Sequence, residues 1–220
     1  KAEIVEYLRI PASRIDVIRE GAAPAYAPVA DLARRARARA AHGLPPDARL
    51  LIYVGGFAPH KNLVRLFEAF DMALVRDGLG DLMLVMVGDP KGGGFHSIHE
   101  RLERQMHLSP RLAARVRFPG YVGDDDLAAL HSDALALVLP SLSEGFGLPA
   151  VEAMSCGAPV LGAAGGAVME VAGKAGLGFD PPSYTLLAGL LAELAERVGA
   201  DGDEATVIGE SWGREAAKRT

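Results

Sequence analysis

The chain has a single cysteine, Cys156, among its 220 residues. No internal disulfide can form, so a reducing cytosol is the expected compartment. No apolar run approaches the ~20 residues that cross a bilayer. Positive charge is not in excess. Lys and Arg number 23 against 28 Asp and Glu, a net charge of −5, which speaks against nucleic acid as a partner. The dinucleotide fingerprint G-x-G-x-x-G is missing too. Gly55-Gly56 lacks the third glycine, and Gly92-Gly93-Gly94 lies in a loop rather than directly between strand and helix. A nicotinamide cofactor is therefore not expected. Hydrophobic residues make up 50% of the chain, enough for a well-buried core.

Short apolar runs alternate with helical periodicity. Strands are expected over 48–56, 81–89, 115–123, 133–140, 158–161 and, at an edge, 176–180. Helices are expected over 62–75, 97–108, 124–133, about 149–155, 183–198 and about 203–218. Trp212 is expected to pack the last of these onto the domain. This alternation predicts right-handed βαβ crossovers and an α/β, Rossmann-like parallel sheet covered by helices on both faces. Ligands of such sheets bind at the carboxyl ends of the strands, where the glycine turns at 55–56, 88, 120–123 and 145–147 fall. The first fifty residues differ: a helix up to Pro11, a short strand over 14–20, then a stretch rich in Ala, Pro and Arg.

The densest chemistry lies in PSLSEGFGLPAVEAMSCGAPVL, where Glu144 and Glu152 are separated by seven residues. Glu144 would stand at the carboxyl end of a strand, and Glu152 on the helix that follows. Phe146-Gly147-Leu148 would offer backbone N–H groups at that helix start, with Pro149 in its first turn. Bare N–H groups beside two carboxylates suit a ligand carrying both phosphate and hydroxyls. Lys61, five residues past Gly56, would start another helix on the same edge. A cation there, with Gly55 and Gly56 letting the chain come close, suits a diphosphate.

Other features read more plainly. His96, His99 and Glu100 share a helix face but have no further metal ligand in view, so a solvated face is expected. Asp124-Asp125-Asp126 reads as a helix cap rather than a divalent-metal site. Arg34, Arg35, Arg37 and Arg39 read as a solvated helix face, with contact to an anionic membrane surface as the alternative. Cys156 reads as a small buried residue.

On these motifs the chain resembles retaining glycosyltransferases of the GT-B type, family 4 (glycosyl transferases group 1). The resemblance rests on PSLSEGFGLPAVEAMSCGAPVL, with that family's Glu-x7-Glu motif, and on YVGGFAPHKNLVRLFEAF, VRFPGYVGDDDLAALHSDA and EVAGKAGLGFDP. Family members carry two Rossmann-like domains with the active site between them, and the likeness is to the rear one. It implies a hinge segment over 1–20, a nucleotide-sugar-binding domain over 21–200 and a C-terminal helix over 201–220. The opening residue, Lys1, fits a piece of a longer protein whose N-terminal domain would supply the acceptor pocket.

The resemblance also implies roles. Lys61 would contact the donor diphosphate, and Glu144 would lie against the donor sugar; these two are the implied catalytic residues. Gly55 and Gly56 would line the donor site. Phe146, Gly147 and Leu148 would hold sugar hydroxyls and phosphate through their backbone. Glu152 would bind the ribose hydroxyls, and Tyr121 and Val122 would lie along the base. No cofactor or metal is implied. Many relatives have an arginine where this chain has Gly56, which would leave Lys61 exposed as the sole cation on the diphosphate. Relatives that share this glycine include mannosyltransferases, which points to GDP-mannose. The implied partners are a nucleotide sugar, the N-terminal domain and an acceptor glycan or lipid-linked glycan, as in polysaccharide biosynthesis. The implied location is cytoplasmic, with the inner membrane face as an accessory contact. The alternatives are a nucleotide-binding module without transfer activity, or another nucleotide-sugar enzyme such as an epimerase.

Overall fold

The computed structural model describes residues 1–76, 78–89, 98–173, 176–181 and 183–200. Helix α1 (Ala2–Leu8) opens the chain, and α2 (Leu32–Ala41) precedes the sheet. Then come β1 (Arg49–Val54), α3 (Leu63–Ala73), β2 (Leu82–Val87), α4 (His99–Leu108) and α5 (Pro110–Arg115). β3 (Val116–Gly120), α6 (Asp124–His131), β4 (Ala134–Leu139) and α7 (Leu148–Ser155) follow. β5 (Val160–Ala163), α8 (Ala167–Ala172), β6 (Gly176–Phe179) and α9 (Tyr184–Ala200) complete the described chain.

The strands form one sheet in the order β3-β2-β1-β4-β5-β6, and every neighbouring pair is parallel. The apolar runs explain it. All six residues of β2 are buried, and Leu50 to Tyr53 of β1 are fully so, as strands covered on both faces require. In α3, Leu63, Leu66, Phe67 and Phe70 recur at helical spacing, and all are buried. The order reverses between β1 and β4. Chain leaving these two neighbours turns to opposite sides, which opens a crevice at their carboxyl ends.

Two glycines close that edge tightly. Gly55 follows β1 at φ 153°, and Gly88 follows β2 at φ 138°. The Gly55 amide donates to Val87 O at 3.0 Å, and the Gly88 amide to Gly120 O at 2.9 Å. A Cβ on Gly88 would lie 2.1 Å from the Gly55 carbonyl oxygen. Only glycine lets the two turns approach so closely.

Several expectations need correction. Residues 14–20 form no strand: a 3-10 turn over Ala12–Arg14 leads into chain with no ladder partner among the described residues. Val17 and Ile18 there are 63% and 90% exposed, so their strand-like apolarity has no sheet to join. The arginine run is a solvated face only in part: Arg37 is exposed, whereas Arg35 and Arg39 turn into the protein. Arg39 is buried and pairs with Asp133 while donating to Pro45 O and Ala48 O. Arg35 donates to Val29 O at 2.6 Å, and Arg34 pairs with Asp125 at 2.9 Å. Helix α5 was not foreseen, although Ser109 before Pro110 is a start signal; its hydroxyl accepts from the Leu112 amide at 3.4 Å. Gly92-Gly93-Gly94, His96, Trp212 and the helix expected over 203–218 lie outside the described residues. Among those residues, no helix is long and apolar enough to cross a membrane.

The close approach of the glycine turns sets the first prediction. Gly88→Ala should lower stability by about 2–4 kcal/mol in urea unfolding. Gly56→Ala has no atom within 4 Å of its new Cβ and should stay within about 0.5 kcal/mol.

His131 sets the second. It ends α6, is fully buried, and neither ring nitrogen has a hydrogen-bond partner. Burial pushes its imidazole down to about 4. The unfolded chain, with a histidine near 6.5, therefore takes up the proton first as pH falls. Stability should drop by up to about 3 kcal/mol between pH 6.5 and about 4 on this account. His131→Leu should flatten that part of the unfolding profile.

Candidate functional site

Lys61 closes a 3-10 turn, Pro59–Lys61, that follows β1. Asn62 next to it is left-handed at φ 57° and opens α3, and its side-chain amide donates to Pro181 O at 3.2 Å. Glu144 follows β4. The two loops are stitched together by the Leu142 amide, which donates to His60 O at 2.8 Å. Lys61 Nζ then meets both oxygens of Glu144, at 2.8 and 2.9 Å. Ser141, itself buried, donates to the same Oε1 at 2.6 Å. The side chains are only 18% and 16% exposed. An ammonium and a carboxylate thus meet where the sheet order reverses. Lys61, expected from sequence to be left exposed as the sole cation on a diphosphate, is instead mostly buried here and held by Glu144.

The loop beyond Glu144 turns sharply into α7. Gly147 is left-handed at φ 91° and is the residue just before the helix, with Pro149 in the first turn. A Cβ on Gly147 would meet Val168 Cγ2 at 3.1 Å, so α8 crowds the turn from outside. Gly145, Phe146 and Leu148 surround this helix start. Gly56 O accepts from the Tyr53 hydroxyl at 2.6 Å. Nothing lies within 4 Å of a Cβ built on Gly56, so that turn has open space where many relatives place an arginine.

Glu152, on the second turn of α7, differs from Glu144. It is half-buried, and no donor reaches it among the described residues. Burial pushes its carboxyl upward, and the neighbouring Asp124 charge adds to this. Asp124, Asp125 and Asp126 fill the first turn of α6, as its dipole favours, but none caps it; Gly123 holds the cap position without a side chain. Tyr121 is 83% exposed, while Val122 is buried, leaving only its backbone for contact with a ligand. His99 is packed against Phe57 and Phe118 rather than solvated, and faces Glu103 at 3.2 Å. Among the described residues, no three His, Cys, Asp or Glu converge as a metal site. Cys156 is buried, and burial with the nearby Glu152 charge pushes its thiol up to about 12.

A cavity of about 520 Å³ lies between residues 17–21 and helices α7 and α8. It touches this region only through Gly145 and Phe146; Lys61, Glu144 and Glu152 do not line it.

A parallel α/β sheet in this order, with a lysine from one switch-point loop and a glutamate from the other, defines a Rossmann-like ligand-binding unit of the GT-B type. A family model described as glycosyl transferases group 1 matches residues 34–201, and the chain belongs to that family. It is 35% identical over 212 residues to D-inositol 3-phosphate glycosyltransferase of Streptomyces griseus, covering 92% of this chain and 42% of that protein. It is 33% identical over 130 residues to O-antigen chain mannosyltransferase B of Escherichia coli, covering 59% of this chain and 32% of that protein. Among solved structures, sucrose-phosphate synthase from Thermosynechococcus elongatus superposes with a TM-score of 0.74 at 28% identity, over 99% of this chain and 51% of that one. The chain thus spans about half or less of each of these proteins.

Proposed function

We propose that this chain is the donor-binding part of a glycosyltransferase that moves a hexose from a nucleoside-diphosphate sugar to an acceptor, with retention at the anomeric carbon. The observation that carries the reading is the meeting of Lys61 and Glu144 at the switch point, 2.8 Å apart. Residues 1–20 act as a hinge and 21–200 bind the donor; the segment 201–220 lies outside the described residues. A separate domain supplies the acceptor pocket. Alone, the chain binds the donor without transferring its sugar.

Each residue then has work suited to its surroundings. The donor diphosphate draws Lys61 away from Glu144 and takes the ammonium as its own partner. As the glycosidic bond breaks, negative charge gathers on the departing diphosphate. Lys61, transferred to the diphosphate, and the N–H groups at the start of α7 stabilise that charge more in the transition state than in the ground state. No metal is needed for that task. Glu144, released from Lys61, faces the developing positive charge on the sugar ring. The acceptor enters on the face the diphosphate leaves, which gives retention.

Glu152 supports the same reading from the nucleoside side. A half-buried carboxylate with no donor among the described residues has acceptor oxygens to offer, and a ribose diol provides two hydroxyls for them. Tyr121 and the backbone of Val122 lie along the base.

Mannose is the hexose we propose first, with guanine as the base. The support is the Gly55-Gly56 turn without an arginine and the likeness to an O-antigen mannosyltransferase. The acceptor is a glycan or lipid-linked glycan at the cytoplasmic face of the membrane. The inositol phosphate named for the Streptomyces relative does not carry over, because the acceptor pocket is assigned to the other domain.

The test is Lys61→Ala in the two-domain enzyme, assayed with nucleotide sugars. Loss of the Lys61 ammonium facing the leaving group should cost about 2–4 kcal/mol in the transition state, read as a fall in kcat/KM. Turnover within about twofold of the parent would remove Lys61 from the chemistry.

A further inference from the structure

Tyr53, the next-to-last residue of β1, is fully buried, yet it brings a hydroxyl into an otherwise apolar run. Its ring packs edge-on against Phe57, with centroids 6.1 Å apart. The hydroxyl lies under the glycine turn and donates to Gly56 O at 2.6 Å. A Cβ on Gly55 would lie 2.7 Å from that hydroxyl oxygen, so the tyrosine fills the space beneath the turn. Burial, and after it the Glu144 charge, push the phenol above its ordinary range, so it stays a protonated donor.

Three successive carbonyls of this turn are drawn into the protein. Gly55 O is packed against Gly88, Gly56 O is held by Tyr53, and Phe57 O accepts from the Ile98 amide at 2.9 Å. Every peptide here is trans, so the N–H that follows each carbonyl points the other way. Those amides belong to Gly56, Phe57 and Ala58. Among the described residues, no protein acceptor meets any of the three. Nothing stands within 4 Å of a Cβ built on Gly56, so the turn is open on its outer side. Successive N–H groups with their carbonyls turned inward suit an anion. Lys61 follows three residues after Ala58 in the same loop. If Gly56 O swung outward, its negative end would face the same anion and repel it; the Tyr53 hydroxyl holds it in.

We propose that Tyr53 is a positioning residue for the donor diphosphate: its hydroxyl holds the Gly56 carbonyl inward, so that the amides of Gly56, Phe57 and Ala58 present donors to the diphosphate beside the Lys61 ammonium. The inference rests on the donor-site reading above and deepens it by naming the backbone donors and the side chain that sets them.

The test measures binding of GDP, GMP, UDP and UMP by titration calorimetry on the parent chain and on Tyr53→Phe, which keeps the ring and removes the hydrogen bond. The readout is the ratio of diphosphate to monophosphate affinity for each base. In the parent the diphosphate should bind more tightly. In Tyr53→Phe the ratio should fall about tenfold, the scale of one hydrogen bond to a charged group. Ala58 has φ −79°, which proline adopts, so Ala58→Pro removes one amide outright. It should lower the same ratio, and it decides the question if Tyr53→Phe does not fold. An unchanged ratio overturns the proposal, whether both affinities hold or both fall together, since a merely structural role weakens the two alike. If the parent binds neither GDP nor UDP, the donor-site reading falls and takes this inference with it. If it binds them and the ratio ignores Tyr53, that reading stands and this inference alone fails.

Discussion

The account depends on one ion pair. Lys61 and Glu144 are 83 residues apart in sequence, yet their side chains meet through two short hydrogen bonds with Ser141 as a third donor. Two charges drawn largely out of water need hydrogen bonds beyond their mutual attraction, and Ser141 adds one to Glu144. The same pair keeps an ammonium ready at the crevice without leaving it bare. A diphosphate has more charge and more oxygens than one carboxylate, so it can displace Glu144 from Lys61 while Ser141 still holds Glu144 in place. Under the proposed function, donor binding and the uncovering of Glu144 are one event.

That pair exists because of the sheet. The strand order brings the loop after β1 beside the loop after β4, and the Leu142–His60 backbone bond fixes their separation. The glycine turns after β1 and β2 pack too closely for any side chain at Gly88, which sets the height of this edge. Helix α7 brings its start to the same rim. Glu144 and Glu152 therefore share a seven-residue spacer but have opposite surroundings: the first accepts three hydrogen bonds, and no donor reaches the second among the described residues. Under the proposed function that difference suits an ammonium for the first and ribose hydroxyls for the second.

Much of this was legible in the residues. Apolar runs closed by glycine gave the strands, because strands buried on both faces leave no room for polar alternation. Glycine, proline and glutamate around position 147 marked the helix start correctly. The pairing of Lys61 with Glu144 was not legible, since it depends on which strands become neighbours. The arginine run misled for a related reason: Arg39 looks like surface until Asp133 and two carbonyls close around it. The apolar alternation of residues 14–20 promised a strand, but a strand needs an edge to join, and none is offered among the described residues. Tyr53 gave no signal, because a tyrosine in an apolar strand says nothing of the Gly56 carbonyl that its hydroxyl meets.

The most direct measurement is the unfolding free energy of the chain in the presence of nucleosides, nucleoside monophosphates and nucleoside diphosphates. If Lys61 exchanges Glu144 for a diphosphate, a diphosphate at 100 times its Kd should add about 2.7 kcal/mol, and the matching monophosphate at equal concentration far less. Equal stabilisation by mono- and diphosphate, or none by either, would contradict the account.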